Sequence, residues 1–467
     1  MRETTIILLF LLAFTFAAVV PAFACSSFEL KRGDRVVYAH NLNQGDMGIP
    51  GQLFINKRGM FKHGCTWNQL TFPDPTFVSE HTWISRYGSV TLSFFGRDFP
   101  DGGVNEEGLF IWEMGEDAEY PNDPAKPALS QNNWMQYVLD TCMTVEEAIA
   151  CAGAVSIDGW GWHYFVGDAS GAAAAIAFID GKPLVHTGSE MPYPALFNSP
   201  YAWELEFMRM FEGFGGHYPV DVTDPRVPRF VRYARLTEQM TPGDDIVDYG
   251  LEMLNTLKVH DDPEWSSLYD ESQRVFYFRT RLTPTLKQLD LDDVDFSNAT
   301  PTLTGDIDKM REGDALPQLT PVTNAIVREF FTEKVIPVLP DGFFDSDGRA
   351  TDDVLDDMAS HTDAGIAAAT KILAGEWSNT ATRGENEMAV QFFLTASDAA
   401  VSGEVVLYEN GERLPLDHFS MIANALEFTF FTPRGNYVLA KCKVDGDTMQ
   451  VALHGPESFF GTYELTR

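Results

Sequence analysis

The stretch CSSFELKRGDRVVYAHNLNQ, residues 25–44, opens with a lone cysteine and runs on into a β-prone segment, and the reading of the whole chain turns on why that cysteine stands there. The residues before it give the first clue. Met1, Arg2 and Glu3 lead into the apolar run IILLFLLAFTFAAVV, followed by Pro21 and the small-residue pattern Ala22, Phe23, Ala24. That run is shorter than the roughly 20 apolar residues a membrane-spanning helix needs, and it ends in an A-x-A cleavage pattern. Residues 1–24 therefore read as a secretory signal rather than an anchor. No later stretch is apolar for long enough to span a bilayer, since GAAAAIAFID breaks at Asp180 and Gly181. The expectation is an exported chain, periplasmic or extracellular, with no transmembrane segment after cleavage.

Cleavage after Ala24 places a thiol and a free α-amine on one residue. A thiolate is a strong nucleophile, and an α-amine with a reference pKa of about 7.7–8.0 is partly unprotonated near neutrality, so Cys25 carries both nucleophile and base. Two other fates compete: lipidation of Cys25 as a bacterial lipoprotein, and a disulfide. A lipoprotein signal usually has a larger aliphatic residue where this chain has Ala22. The chain has five cysteines, an odd count that leaves at least one thiol unpaired in an oxidising compartment. Cys142 and Cys151 flank the capping-box pattern TVEE and are the candidate pair, with Cys65 and Cys442 elsewhere.

Composition narrows the function classes. Acidic side chains number 68 against 33 basic ones, for a formal charge of −35, which opposes binding to nucleic acid or to anionic membrane surfaces. The length exceeds what a single hydrophobic core usually supports, so two units, or one large unit with an appendage, are expected.

Four segments, in order, carry a family resemblance. Residues 25–44, then GSVTLSFFGRDFPDGGVNEEGLFIWEM (88–114), ALFNSPYAWELE (195–206) and PRFVRYARL (228–236) resemble the choloylglycine hydrolase and penicillin V acylase family of linear amide C–N hydrolases. These are N-terminal nucleophile enzymes, and the resemblance implies Cys25 as nucleophile, Asn105 and Asn198 as oxyanion donors and Arg229 beside the thiol. The chemistry fits, because amide hydrolysis puts negative charge on the carbonyl oxygen, which fixed N–H donors stabilise. A permanent cation near a thiol also favours the thiolate. Taken alone, NSP and GGVNEEG are also ordinary turn sequences. Where the family motif has arginine and aspartate, this chain has His40 and Asn43. Asn43 keeps an acceptor for an N–H of the amine but lacks the charge that would raise the amine's pKa. His40 is left with two readings, a group acting on substrate or a hydrogen-bonded strand histidine.

The family fold is a four-layer αββα sandwich, so the expected class is α+β. DRVVYAHNL, GQLFINKRG, SVTLSFFGRD, GLFIWEM, WHYFVGDAS, AAAAIAFID and KPLVHTG read as strands of antiparallel sheets. QNNWMQYVLDTC, TVEEAIACAG and TPGDDIVDYGLEMLNTL read as helices, the last with Thr241 as its cap. The expected organisation is a signal (1–24), an amidase domain (25–300), an acidic connector (301–367) with one helix near NAIVREFFTEKVI, and a separate β-rich module (368–467) forming a small all-β barrel or sandwich. The connector segment DSDGRATDDVLDD lacks the spacing of a calcium loop, and no cofactor or metal is expected. Trp67, Trp83, Trp134, Trp160 and Trp162 read mostly as core, with an apolar pocket as the other reading. The expected partner is a small-molecule acyl amide, with a homo-oligomer possible. The competing reading is a lipid-anchored binding protein on an impaired amidase fold.

Overall fold

Strand Ser26–Arg32 pairs antiparallel with Arg35–Leu42, Ser26 opposite Asn41 and Ser27 opposite His40. Gly33 in the connecting turn has φ +61°, the left-handed conformation that so tight a connection demands. In this computed structural model the hairpin lies inside a seven-stranded sheet, flanked by Ala195–Leu196 on one side and Trp265–Asp270 on the other. The structure describes residues 25–44, 47–258, 263–344, 347–379, 389–407, 411–422, 424–456 and 461–467, so the expected signal at 1–24 lies outside the described residues.

A nine-stranded sheet stacks on the first. Its strands Trp162–Gly167, Phe110–Gly115, Gly102–Asn105, Ser89–Ser93 and Gln52–Asn56 are hydrogen-bonded in that order. Side chains alternate faces along a strand. Tyr38 stacks on Phe110 (centroids 5.4 Å) and His40 on Trp112 (4.2 Å), so these faces meet in the inter-sheet core. Outside, helix Arg229–Gln239 covers the seven-stranded sheet through Tyr233 on Phe28 (5.5 Å), and helix Gln131–Thr141 covers the other through Trp134 on Tyr164 (4.6 Å). The result is the α+β, four-layer αββα arrangement. Among the described residues no helix is long and apolar enough to cross a membrane.

Helix Val145–Ala154 begins as its capping box indicates, with Thr144 accepting the Glu147 N–H at 3.2 Å. The Sγ atoms of Cys142 and Cys151, just before and within it, lie 3.1 Å apart as free thiols. The next expected helix start needs correction. Helix Ile246–Leu257 is capped by Asp245, which accepts the N–H groups of Val247 and Asp248, and not by Thr241.

Two boundaries also differ from expectation. Residues 301–367 are no connector: Leu303–Asp306 joins the nine-stranded sheet beside Gln52–Asn56, and Thr351–Ile372 forms a 22-residue helix. Aspartates hide that helix from a composition reading. Val354, Leu355, Met358 and Ala359 nevertheless repeat at helical spacing and are buried, while Asp352 and Asp353 occupy the first turn, where the helix dipole favours acids. The β-rich end is not separate either. Its strands continue, through Met421 paired with Ile84 and Ile422 with Trp83, into Thr82–Ile84 and Phe61–His63, making one eleven-stranded sheet. The Phe61 N–H donates to Ala399 O (2.7 Å) and the Val401 N–H to Gly59 O (3.0 Å), so the sheet is rolled into a half-barrel around its own core.

Candidate active site

The β pairing sets where Cys25 points. Ser26, Phe28 and Leu30 alternate with Cys25, Ser27 and Glu29; Phe28 meets the helix layer, whereas Ser27 bonds His40 in the inter-sheet face. Cys25, at the strand tip, therefore turns its thiol inward, and it is fully buried. The Asn43 N–H approaches Sγ at 3.5 Å, and the thiol faces the Asn43 carbonyl at 3.6 Å. Arg229, the first residue of its helix, donates from Nη1 to the Cys25 carbonyl (2.7 Å) and from Nη2 to Asn198 Oδ1 (3.2 Å). Its guanidinium also lies over the Phe197 ring, 5.0 Å from the centroid. Asn198 Nδ2 donates to Gly115 O (3.0 Å), tying the site to the second sheet. Four of the six expected residues, Cys25, Asn43, Asn198 and Arg229, thus converge.

Comparison with known proteins gives the same frame. No protein-family model matches the chain. A penicillin V acylase from Pectobacterium atrosepticum is 26% identical over 264 residues, 46% of this chain and 69% of that protein. The chain also superposes on penicillin V acylase from Agrobacterium tumefaciens with TM-score 0.55 and 24% identity, covering 64% of this chain and 98% of that one. The chain is thus similar in sequence to one penicillin V acylase and shares the fold of another. A variant of conjugated bile acid hydrolase from Clostridium perfringens aligns less closely, with TM-score 0.47 and 16% identity over 61% of this chain and 98% of that one.

Two residues transferred from the family motif do not fit it. Asn105 is a correction: its Nδ2 donates to Leu139 O (2.9 Å) and Cys142 O (2.7 Å), and its Oδ1 accepts from Glu107 and Leu109. Its backbone N–H is held by Leu109 O (3.0 Å), so no donor is left for an oxyanion and the residue fastens a hairpin to the helix behind it. The site is approached instead by the far end of the same segment, at Gly115. His40 lies on the Cys25 face, but opposite Ser27, whereas the strand register carries Leu42 opposite Cys25. Its Nδ1 bonds Ser27 Oγ at 2.8 Å and its ring is sandwiched against Trp112. Burial holds its pKa well below the usual histidine value, so the imidazole is neutral. It is a strand histidine and not a base at Sγ.

Burial also governs the thiol, pushing its pKa well above the ordinary cysteine value; Glu113 and Asp101 raise it further, and the Asn43 N–H and Arg229 pull it down by less. Arg229 acts in the expected direction, but a fully enclosed sulfur loses more from desolvation than one nearby cation returns. Burial likewise drives Arg229 down to about 10. Both carboxyls are buried, with Asp101 pushed up to about 7 and Glu113 well above the carboxylate range. Burial thus favours the protonated form of Glu113, which lessens the repulsion it exerts on a Cys25 thiolate. These acids escaped the sequence reading, although a glutamate inside the apolar run FIWEM was a visible signal. His163, also missed, donates from Nε2 to Phe197 O (2.5 Å) while its Nδ1 lies 2.9 Å from Glu116, bracing the residue before Asn198.

A cavity of about 1480 Å³ opens beside this cluster, bordered by Leu42, Asp101, Gly115 and Asn198. Trp67, Trp160 and Trp162 line it, but Trp67 and Trp162 are buried in the core like Trp83 and Trp134, and only Trp160 is exposed. The mostly-core expectation for the five tryptophans thus holds, with three of them also bordering the cavity.

Asn105→Ala removes four side-chain hydrogen bonds from a buried site and is expected to cost about 2–3 kcal/mol in urea unfolding, with kcat per folded molecule unchanged. A selective fall in kcat would return Asn105 to the catalytic set. Asp101→Asn tests the buried acid. A folded-state pKa raised from 3.8 to about 7 makes wild-type stability fall as pH rises through that window. The mutant lacks that loss, so its stability relative to wild type should climb by about 1.4 kcal/mol per pH unit between about pH 4 and 7 and then level off.

Proposed function

We propose that the chain is exported, is cleaved after Ala24, and hydrolyses a linear, non-peptide C–N amide bond of a small acylated molecule, with Cys25 Sγ as nucleophile and the Cys25 α-amine as base. The observation that carries this reading is the placement of Cys25. It sits at a strand tip, inside the core, its carbonyl gripped by Arg229 and its sulfur between the main-chain groups of Asn43, while Leu42 and Asn198, close to it, border a cavity large enough for a substrate.

The neutral thiol needs a base, and the described surroundings of Sγ offer no other ready one. His40 is bonded to Ser27, and Asp101 already accepts the Phe94 N–H at 2.7 Å. The α-amine takes the thiol proton as Sγ attacks the substrate carbonyl carbon, forming the C–S bond and pushing the π electrons onto oxygen. An amide side chain has two N–H groups. Asn198 spends one on Gly115 O, and its second serves the oxyanion, while Arg229 fixes the side chain through Oδ1. The tetrahedral intermediate collapses, the α-ammonium returns its proton to the departing nitrogen, and the amine leaves. Water, deprotonated by the same α-amine, then attacks the thioester, and the carboxylic acid leaves as Sγ recovers a proton. Asn43 stands where the family motif has an aspartate; without that charge the α-ammonium is less stabilised, which leaves more free base near neutral pH.

Cys25→Ser is expected to reduce amide turnover below detection with no change in the urea midpoint, since one small side chain is exchanged for an isosteric weaker nucleophile. Turnover at the wild-type rate would sink the mechanism. A form retaining one residue before Cys25 should be folded and inactive, because its nitrogen is then a peptide and no base; N-terminal sequencing and intact mass of the exported protein should show a free Cys25, and added acyl groups in their place would favour the lipid-anchored reading.

A further inference from the structure

The cavity beside Cys25 has two unlike parts. Its inner wall is aromatic: Trp67 packs on Trp160 (centroids 4.7 Å) and on Phe344 (5.6 Å), Phe95 lies 5.6 Å from Trp160, and Phe343 meets Trp160 edge-on at 5.6 Å. Phe343 and Phe344 come from a segment after residue 300, beyond the stretch that carries the family resemblance. They close the cavity from beyond that stretch. The rest of its lining carries carboxylates: Glu116, Asp117, Glu119, Asp180 and Asp347, with Asp158 held at the aromatic wall by the N–H groups of Trp67 and Asn68, and no lysine or arginine stands among the described lining residues. Asp117, Glu119 and Asp180 are solvent-exposed.

We propose that this cavity selects amides that join an apolar acyl chain to an amine portion bearing no negative charge, neutral or cationic, and that Phe343 and Phe344 form the outer wall of the acyl subsite. The proposal rests on amide hydrolysis at Cys25. Aromatic faces exclude water around an acyl chain and reward its burial roughly in proportion to its apolar area. A carboxylate or sulfonate on the amine half enters a ring of like charge whose walls hold no compensating cation, while a neutral amide passes and a cation is drawn in. The only cation the described site sets near the reacting carbon is Arg229, and it is engaged with the Cys25 carbonyl and Asn198.

Three N-decanoyl amides with a constant acyl chain test the charge rule: those of glycine, glycinamide and ethylenediamine, anionic, neutral and cationic at pH 7. In dilute buffer kcat/KM for the neutral and cationic compounds should exceed that for the anion by at least about tenfold, and the gap should narrow in about 0.5 M salt. Equal rates, or a gap indifferent to salt, overturn it. For the wall, Phe344→Ala should lower the decanoyl-to-acetyl ratio of kcat/KM by about tenfold, with Phe344→Leu retaining most of it; a ratio unmoved in folded Phe344→Ala protein overturns that part. The same three compounds are titrated by tryptophan quenching into full-length Cys25→Ala protein. Ordered binding without any wild-type turnover supports the cavity's selectivity and removes the hydrolase reading, whereas turnover without discrimination removes the selectivity alone.

Discussion

Everything in the site depends on holding a strand tip still. Ends of chains fray because few bonds restrain them, yet a nucleophile must keep its geometry to within a fraction of an ångström. Here the strand that begins at Ser26 is paired on both edges, to Ala195–Leu196 and to Arg35–Leu42, and the carbonyl of Cys25 itself is clamped by Arg229. The clamp is not isolated. Arg229 reaches Asn198, Asn198 reaches Gly115, and Gly115 ends a central strand of the opposite sheet, so one chain of hydrogen bonds sets the distance between Cys25 and the opposite sheet.

Desolvation is the second organising constraint. The enclosure that fixes Cys25 also deprives its thiolate of water, and the protein answers by neutralising neighbours rather than by adding positive charge. Glu113 and Asp101 are pushed toward their protonated forms and His40 is kept uncharged. Arg229 is thus left as the main charge beside the sulfur, in a molecule of formal charge −35. The charge is carried at the surface and around the cavity mouth, where water screens it.

The sequence was readable where local chemistry and long-range structure agree. Alternating apolar runs marked the strands of both large sheets, and TVEE marked a helix start. Cys25, Asn198 and Arg229 were legible as ordered motifs far apart in the chain. Asn105 misled because a turn asparagine and an oxyanion asparagine look alike in one dimension; only the carbonyls of Leu139 and Cys142 reveal which it is. The helix Thr351–Ile372 was obscured because its solvent face is so rich in aspartate that composition outweighed periodicity. The aromatic wall was invisible for a different reason: Phe343 and Phe344 meet Trp67 and Trp160 through tertiary packing that no local pattern records.

The rolled eleven-stranded sheet has a consequence for the order in which the molecule is made. Thr82–Ile84 and Phe61–His63 come early in the sequence, yet the strand that completes their hydrogen bonding, Asp417–Ile422, is synthesised long after them. Pairings between such distant segments are slow to form because the intervening chain must first be closed into a loop. The early strands therefore wait with an open edge until that later segment arrives. The molecule is latched by a segment made late, and a chain cut short before it would present the edge to its neighbours.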